Sequence, residues 1–250
     1  MHSSSWTRKY GDLPPLTMWA PLAVFYIVGF AGFIDPSFEK TAMALINSGE
    51  HWSPKESEAI FIERLEAILW LIGFLAFLLG RSRESDESRR KWLLSFCLLC
   101  FLAFGEETSW GQHYFSYATP ESIGRLNIQN EFNVHNTDLS ALLGVSPEHY
   151  LYPYLGNLTH YLNPIFYILC MVIWGLLPLL THFVPTKIGF LAAYPRYYGG
   201  CYLLLWCFAA LYLITDNLFF DAGELAELTF ASAGCCLGVY SAAGWRSSAS

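Results

Sequence analysis

The chain has 250 residues, 54% of them hydrophobic and only 14% charged, with a formal net charge of −7. An ordinary soluble domain carries about 25% charged residues, so a water-filling surface around a soluble core is excluded as the main plan. No basic stripe interleaved with aromatics is present, which excludes nucleic acid as a partner.

The expected fold class is all-α: a polytopic membrane bundle of about six transmembrane helices in one integral membrane domain covering 1–250. The first span is 16–34, an uncharged run too long for a signal-peptide core. The second is 54–80, opened by Ser53-Pro54 with Glu56, the pattern of a capping box with Pro at the first helical position. The third is 92–117, the fourth 158–184, the fifth 197–220 and the sixth 224–245. The sixth is rich in Gly, Ala and Ser, which permits close helix packing. All seven cysteines fall in apolar runs and read as small buried residues, not as a disulfide framework or a zinc knuckle.

Lys and Arg set the orientation. With both termini cytoplasmic, the cluster Arg81, Arg83, Arg89, Arg90 and Lys91 lies inside. Every acid except Asp12, Glu84, Asp86 and Glu87 then lies outside or at an outer helix end, with His51, His113, His135, His149 and His160. The outer face therefore reads as the working face. The implied location is a bacterial inner (cytoplasmic) membrane, with the site toward the periplasm or exterior.

Several acids fall within spans, where a carboxylate is costly and faces a partner or a wet cavity. Glu63 and Glu66 share a helix face at i, i+3. Glu106 and Glu107 sit between Phe104 and Trp110, and Asp221, Glu224 and Glu227 follow in steps of three. The loop 118–157 carries the polar motif Asn127-x-Gln129-x-Glu131-x-Asn133-x-His135-Asn136. Its alternation predicts an extended segment with these polar side chains on one face, dipping into the mouth of the bundle. A helix would also pair Glu131 with His135. Thr119-Pro120 and Ser146-Pro147 each predict the cap and first residue of a short flanking helix. Tyr150, Tyr152 and Tyr154 suit an interfacial belt.

The chemistry these residues suggest is that of a membrane enzyme acting on a lipid or lipid-linked substrate by hydrolysis or transfer. Glu131 and His135 would be metal ligand and general base, in either order, with Glu106 and Glu107 as further catalytic acids. Ser109, Trp110, Gln112, Asn127, Gln129, Asn133 and Asn136 would orient substrate or support the ligands. The expected ligand set is Glu107, Glu131, His135, Glu224 and Glu227 around one divalent metal ion, with Glu63, Glu66 and Asp221 as supporting acids. Oxygen ligands favour Mg, Ca or Mn, and an imidazole admits Zn or Fe. The Ser109-x-x-x-His113 spacing resembles ceramidase-like hydrolases, but the late His-x-x-x-His pair is missing. The di-iron Glu-x-x-His pattern is missing too. Two other readings use the same acids: a non-enzymatic subunit or binding module of a membrane complex, and a carrier of protons, cations or a small solute.

The stretch Glu106-Glu107-Thr108-Ser109-Trp110-Gly111-Gln112, followed by the Asn127–Asn136 motif, resembles a family of uncharacterised bacterial multi-pass membrane proteins. The resemblance spans roughly residues 60–240. It implies an acidic start to the second helix, here Glu63 and Glu66, and a Glu-x-x-Glu near the last helix, here Glu224 and Glu227. The family often carries a basic residue at the place of His113. The resemblance implies a fold and a site, and no reaction.

Overall fold

The computed structural model describes residues 54–177, 180, 193–194 and 222–242, and the side chains of all these except 54–62, 113 and 222–226. The expected spans 16–34 and 197–220, Asp221 and the side chain of Glu224 lie outside the described residues.

The described residues are helical, and their only strand-like pairings are two isolated bridges. Helix α1 is Pro54–Arg83, a run of 30 residues, about 45 Å long at 1.5 Å per residue. Its start at Pro54 agrees with the sequence reading, since proline's missing N–H is no loss in a first turn. Helix α2 is Glu87–Glu107. Asp86 caps it by accepting the Arg89 N–H at 2.8 Å. The three residues between these helices fold α2 back along α1. Short helices α3 (Gln112–Phe115), α4 (Glu121–Gly124) and α5 (Leu139–Leu143) follow. Helix α6 is Thr159–Cys170 and continues as a π-helical stretch, Met171–Leu176. Helix α7 is Ala222–Ala242.

Helices α1 and α7 run parallel and in close contact. Glu66 lies near Glu227 at one end, and Arg83 donates to the Ala242 carbonyl at the other. Between them, a Cβ on Gly238 would lie 2.8 Å from the Gly73 carbonyl oxygen, so only glycine lets the backbones approach this far. This is the packing that the small residues of the last helix permit. Helix α6 runs in the same direction: Asn163 near its start meets Glu227, and Trp174 beyond its end lies at Gly234, while Trp70 of α1 packs on both Phe166 and Trp174. The core between the helices holds Trp70, Phe77, Phe96, Cys100 and Trp174. Cys97, Cys100, Cys170, Cys235 and Cys236 are buried thiols without disulfides, as their apolar context requires.

The outer faces are apolar as well. Ile68, Leu75 and Leu79 of α1, Leu98 and Leu102 of α2, and Ile165 and Ile168 of α6 are all exposed. Among the described residues, two helical segments, Glu63–Arg83 and Thr159–Leu176, are long and apolar enough to cross a membrane.

Candidate functional site

The site lies where α2 ends. The sequence predicts a helix to residue 117, but the helix stops at Glu107. Two features end it. The Thr108 hydroxyl bonds back to the Phe104 carbonyl at 2.8 Å, competing with the helical ladder. The next three residues all take positive φ: Ser109 at 45°, Trp110 at 54° and Gly111 at 91°. Left-handed backbone is costly for Ser and Trp and easy for Gly. The turn is held in place by its surroundings. Tyr117 donates its hydroxyl toward the Ser109 and Trp110 carbonyls at 3.1 Å each. The Trp110 ring folds back onto Gly105, where a Cβ would stand 2.9 Å from three ring atoms. Its indole N–H donates to Glu106 Oε1 at 2.9 Å.

This turn is one wall of a polar knot, and the loop 126–138 is the other. The loop closes on itself through the Asn127–Thr137 bridge, Ile128 N–H to Asn136 O at 2.9 Å, and Asp138 N–H to Leu126 O at 2.7 Å. Within it, Asn127 Oδ1 accepts the Gln129 and Glu131 N–H groups at 3.0 Å each. Its Nδ2 donates to Asn133 Oδ1 at 2.8 Å. Asn133 Nδ2 donates to Glu131 Oε2 at 2.7 Å and to Ser109 Oγ at 3.2 Å, and Ser109 Oγ donates to Glu131 Oε2 at 2.8 Å. Gln112 Oε1 accepts the Phe132 N–H at 2.7 Å, while its Nε2 donates to Thr119 Oγ1 at 2.8 Å. Asn136 donates to Gln129 Oε1.

The expected extended segment with one polar face is therefore corrected. The segment is a turn-rich loop, because asparagine side chains satisfy nearby backbone groups in place of a strand partner. Some of the polar residues still point inward: Asn127, Asn133 and Asn136 are buried, whereas Gln129 is exposed, as are Ile128 and Val134 at 56% and 57%. Of the two expected flanking helices, the first is present as α4 but with a different cap, and the second is corrected. Thr119 does not cap α4, because its hydroxyl is spent on the Asn130 carbonyl at 2.6 Å. Residues 146–149 form a turn, closed by His149 N–H to Ser146 O at 3.0 Å.

The carboxylate beside His135 is Glu106. Glu106 Oε2 accepts the Val134 and His135 N–H groups at 2.8 and 3.1 Å and lies 3.3 Å from His135 Nδ1. Both side chains remain about a quarter exposed. A carboxylate on Nδ1 fixes the tautomer and leaves Nε2 directed away from it, the arrangement of an oriented general base.

A second group forms one residue further along. Carboxylate oxygens of Glu66 from α1, Glu107 from α2 and Glu227 from α7 lie within 4.8 Å of one another. Glu66 is fully buried, and the other two are partly so. Glu227 Oε1 accepts from Asn163 Nδ2 at 2.6 Å and from the Tyr167 hydroxyl at 2.7 Å, both on α6. Of the five expected ligands, the structure brings Glu107 and Glu227 together and adds Glu66, which the sequence suggests only as a supporting acid. Glu131 and His135 belong to the polar knot. Glu63 is exposed, so the i, i+3 pair on α1 divides between surface and interior. Arg125 pairs with Glu121 on the surface.

Asn163 and Tyr167 are missing from the sequence reading. Their signal was available: two polar side chains at i, i+4 spacing within an apolar span. Comparison with protein families, with curated proteins and with solved structures returns no match.

Proposed function

We propose that this chain is a multi-pass protein of a bacterial inner membrane, and that its outer end holds a divalent-cation centre serving hydrolysis or transfer on a lipid or lipid-linked substrate. The membrane reading rests on the apolar outer faces of α1, α2 and α6 and on the basic cluster at one end. The six-span reading has support from direction. Helices α6 and α7 run the same way, which a return crossing between them satisfies, and the apolar run 197–220 is the proposed return.

One observation carries the chemistry: the convergence of Glu66, Glu107 and Glu227 from three helices. Three carboxylates this close repel one another when ionised, and a divalent cation held among them, or protons shared between them, would offset that repulsion. An all-oxygen set favours Mg, Ca or Mn over Zn or Fe. Such an ion would polarise a phosphoryl or acyl oxygen or activate water. His135, oriented by Glu106, the sequence neighbour of Glu107, is the proposed general base.

The test is metal content of the chain purified in mild detergent, beside Glu107→Gln and Glu227→Gln. About one ion per chain, lost in both variants, is expected on this reading. Folded protein that binds no divalent cation would sink it. A second reading, a binding module without chemistry, gains from the polar knot. Ser109 and Asn133 are committed to partners inside it, as in a structural network. Cation binding without turnover of any lipid substrate would favour that module.

A further inference from the structure

The excursion 138–158 has a feature that the proposed chemistry does not use. Its base is stitched shut by the Asp138–Asn157 bridge, by Leu139 N–H to Gly156 O at 3.2 Å, and by Leu158 N–H to Thr137 O at 2.8 Å. At its base the polar groups turn inward, while Ser146, Glu148 and His149 further along are exposed. Ser140 is buried, and the Asp138 carboxylate caps α5 by accepting from the Ser140 and Ala141 N–H groups. Its large apolar side chains turn outward instead. Leu142 and Leu143 on α5 and Tyr150 and Tyr154 beyond it are strongly exposed, with Tyr150 at 75%. The excursion contains no Lys or Arg, and its only acids are Asp138 and Glu148.

A closed loop that exposes this much Leu and Tyr, with a few polar residues among them, suits the boundary between water and lipid better than bulk water. Residue 159 then begins α6, whose Ile165 and Ile168 are also exposed. The exposed apolar residues thus continue along the chain from the loop into a helix of membrane length. Tyrosines suit the headgroup level and leucines the acyl boundary just below it.

We infer that 138–158 is an interfacial anchor, laid against the same bilayer leaflet from which α6 enters, with Leu143 and Tyr150 in contact with lipid. The anchor holds the polar knot at the membrane surface, because its base is bonded to the knot through Asp138 N–H and Leu126 O. This inference rests on the membrane reading above. With no Lys or Arg, the anchor carries no polybasic attraction for anionic lipid, and a zwitterionic bilayer suffices.

The test places a genetically encoded fluorescent amino acid at Leu143, Tyr150, Ile168 or Glu121 of the full chain, in phosphatidylcholine vesicles with brominated acyl chains. The expected result is loss of emission at Leu143 and Tyr150 comparable with that at Ile168, and none at Glu121, an exposed residue of α4. Emission at both loop sites matching Glu121, while Ile168 is quenched, would overturn the anchor and leave the membrane reading standing. Unquenched emission at Ile168 as well would overturn both.

Discussion

Glu106 grips His135 twice: its Oε2 accepts the His135 backbone N–H at 3.1 Å and lies 3.3 Å from ring Nδ1. The other oxygen, Oε1, accepts from Trp110 Nε1. Both oxygens therefore face donors, three of which are N–H groups that cannot reverse. An amide offers one oxygen and one NH2, so Glu106→Gln must set a donor against a donor. The expected loss is about 1 kcal/mol, the low end for an unsatisfied polar group, because the carboxylate is a quarter exposed. Thermal unfolding in detergent measures it. A variant as stable as the parent would show that the carboxylate is dispensable to the fold.

The same relationship shows what the sequence makes legible. The acids and amides of the site could be named one by one, because ionisable and amide groups among apolar runs need partners. The inward direction of Asn127 and Asn133 could also be read from alternation. The partners could not. His135 meets Glu106 because α2 ends at 107 and the chain reverses through three left-handed residues, of which Gly111 alone carries a local signal. The Glu66–Glu107–Glu227 group depends on the register of α1 against α7, which glycine contacts set and no local propensity encodes. Pro54 and the small residues of α7 were readable because their effects are steric and local.

Gly105 is expected to tolerate no side chain while Trp110 is present. A Cβ there would meet the indole at 2.9 Å, and a ring cannot yield as a flexible chain end would. Gly105→Ala should cost about 1–3 kcal/mol, the range for overpacking. In a Trp110→Ala background the same change should cost much less. A double-mutant cycle in thermal stability reads the coupling, and additive costs would refute the contact.

Asp138 links acidity to the anchor. The Ser140 hydroxyl, opposed by slight burial and aided by the Ala141 and Ser140 N–H groups, holds its carboxyl below the ordinary value of 3.8. A depressed folded pKa adds stability that is present above the unfolded value and lost as pH falls through the folded one. Protection of the Ser140 and Ala141 amides from hydrogen exchange should therefore weaken below roughly pH 4. Asp138→Asn keeps an acceptor without a titrating proton, so its protection should not change across that range. Parallel pH profiles for the two proteins would count against the cap as the titrating element.

Tyr167 and Asn163 separate a cation centre from a mere acidic contact. Both donate to one oxygen of Glu227, which turns that carboxylate and sets which oxygen can face Glu66 and Glu107. Tyr167→Phe deletes one of these bonds and keeps the ring that stacks on Phe230. If the three carboxylates hold an ion, losing a bond that orients a ligand should weaken affinity by about 10–100-fold. Thermal stability without added cation should change far less than the affinity does. Titration with Mn2+, followed by the loss of its free-ion spin-resonance signal, gives the affinity directly. Equal affinity in parent and variant would mean that the Tyr167 bond does not position a ligand. The hydrogen bonds to Glu227 would then serve only to satisfy a partly buried acid, without setting the geometry of an ion.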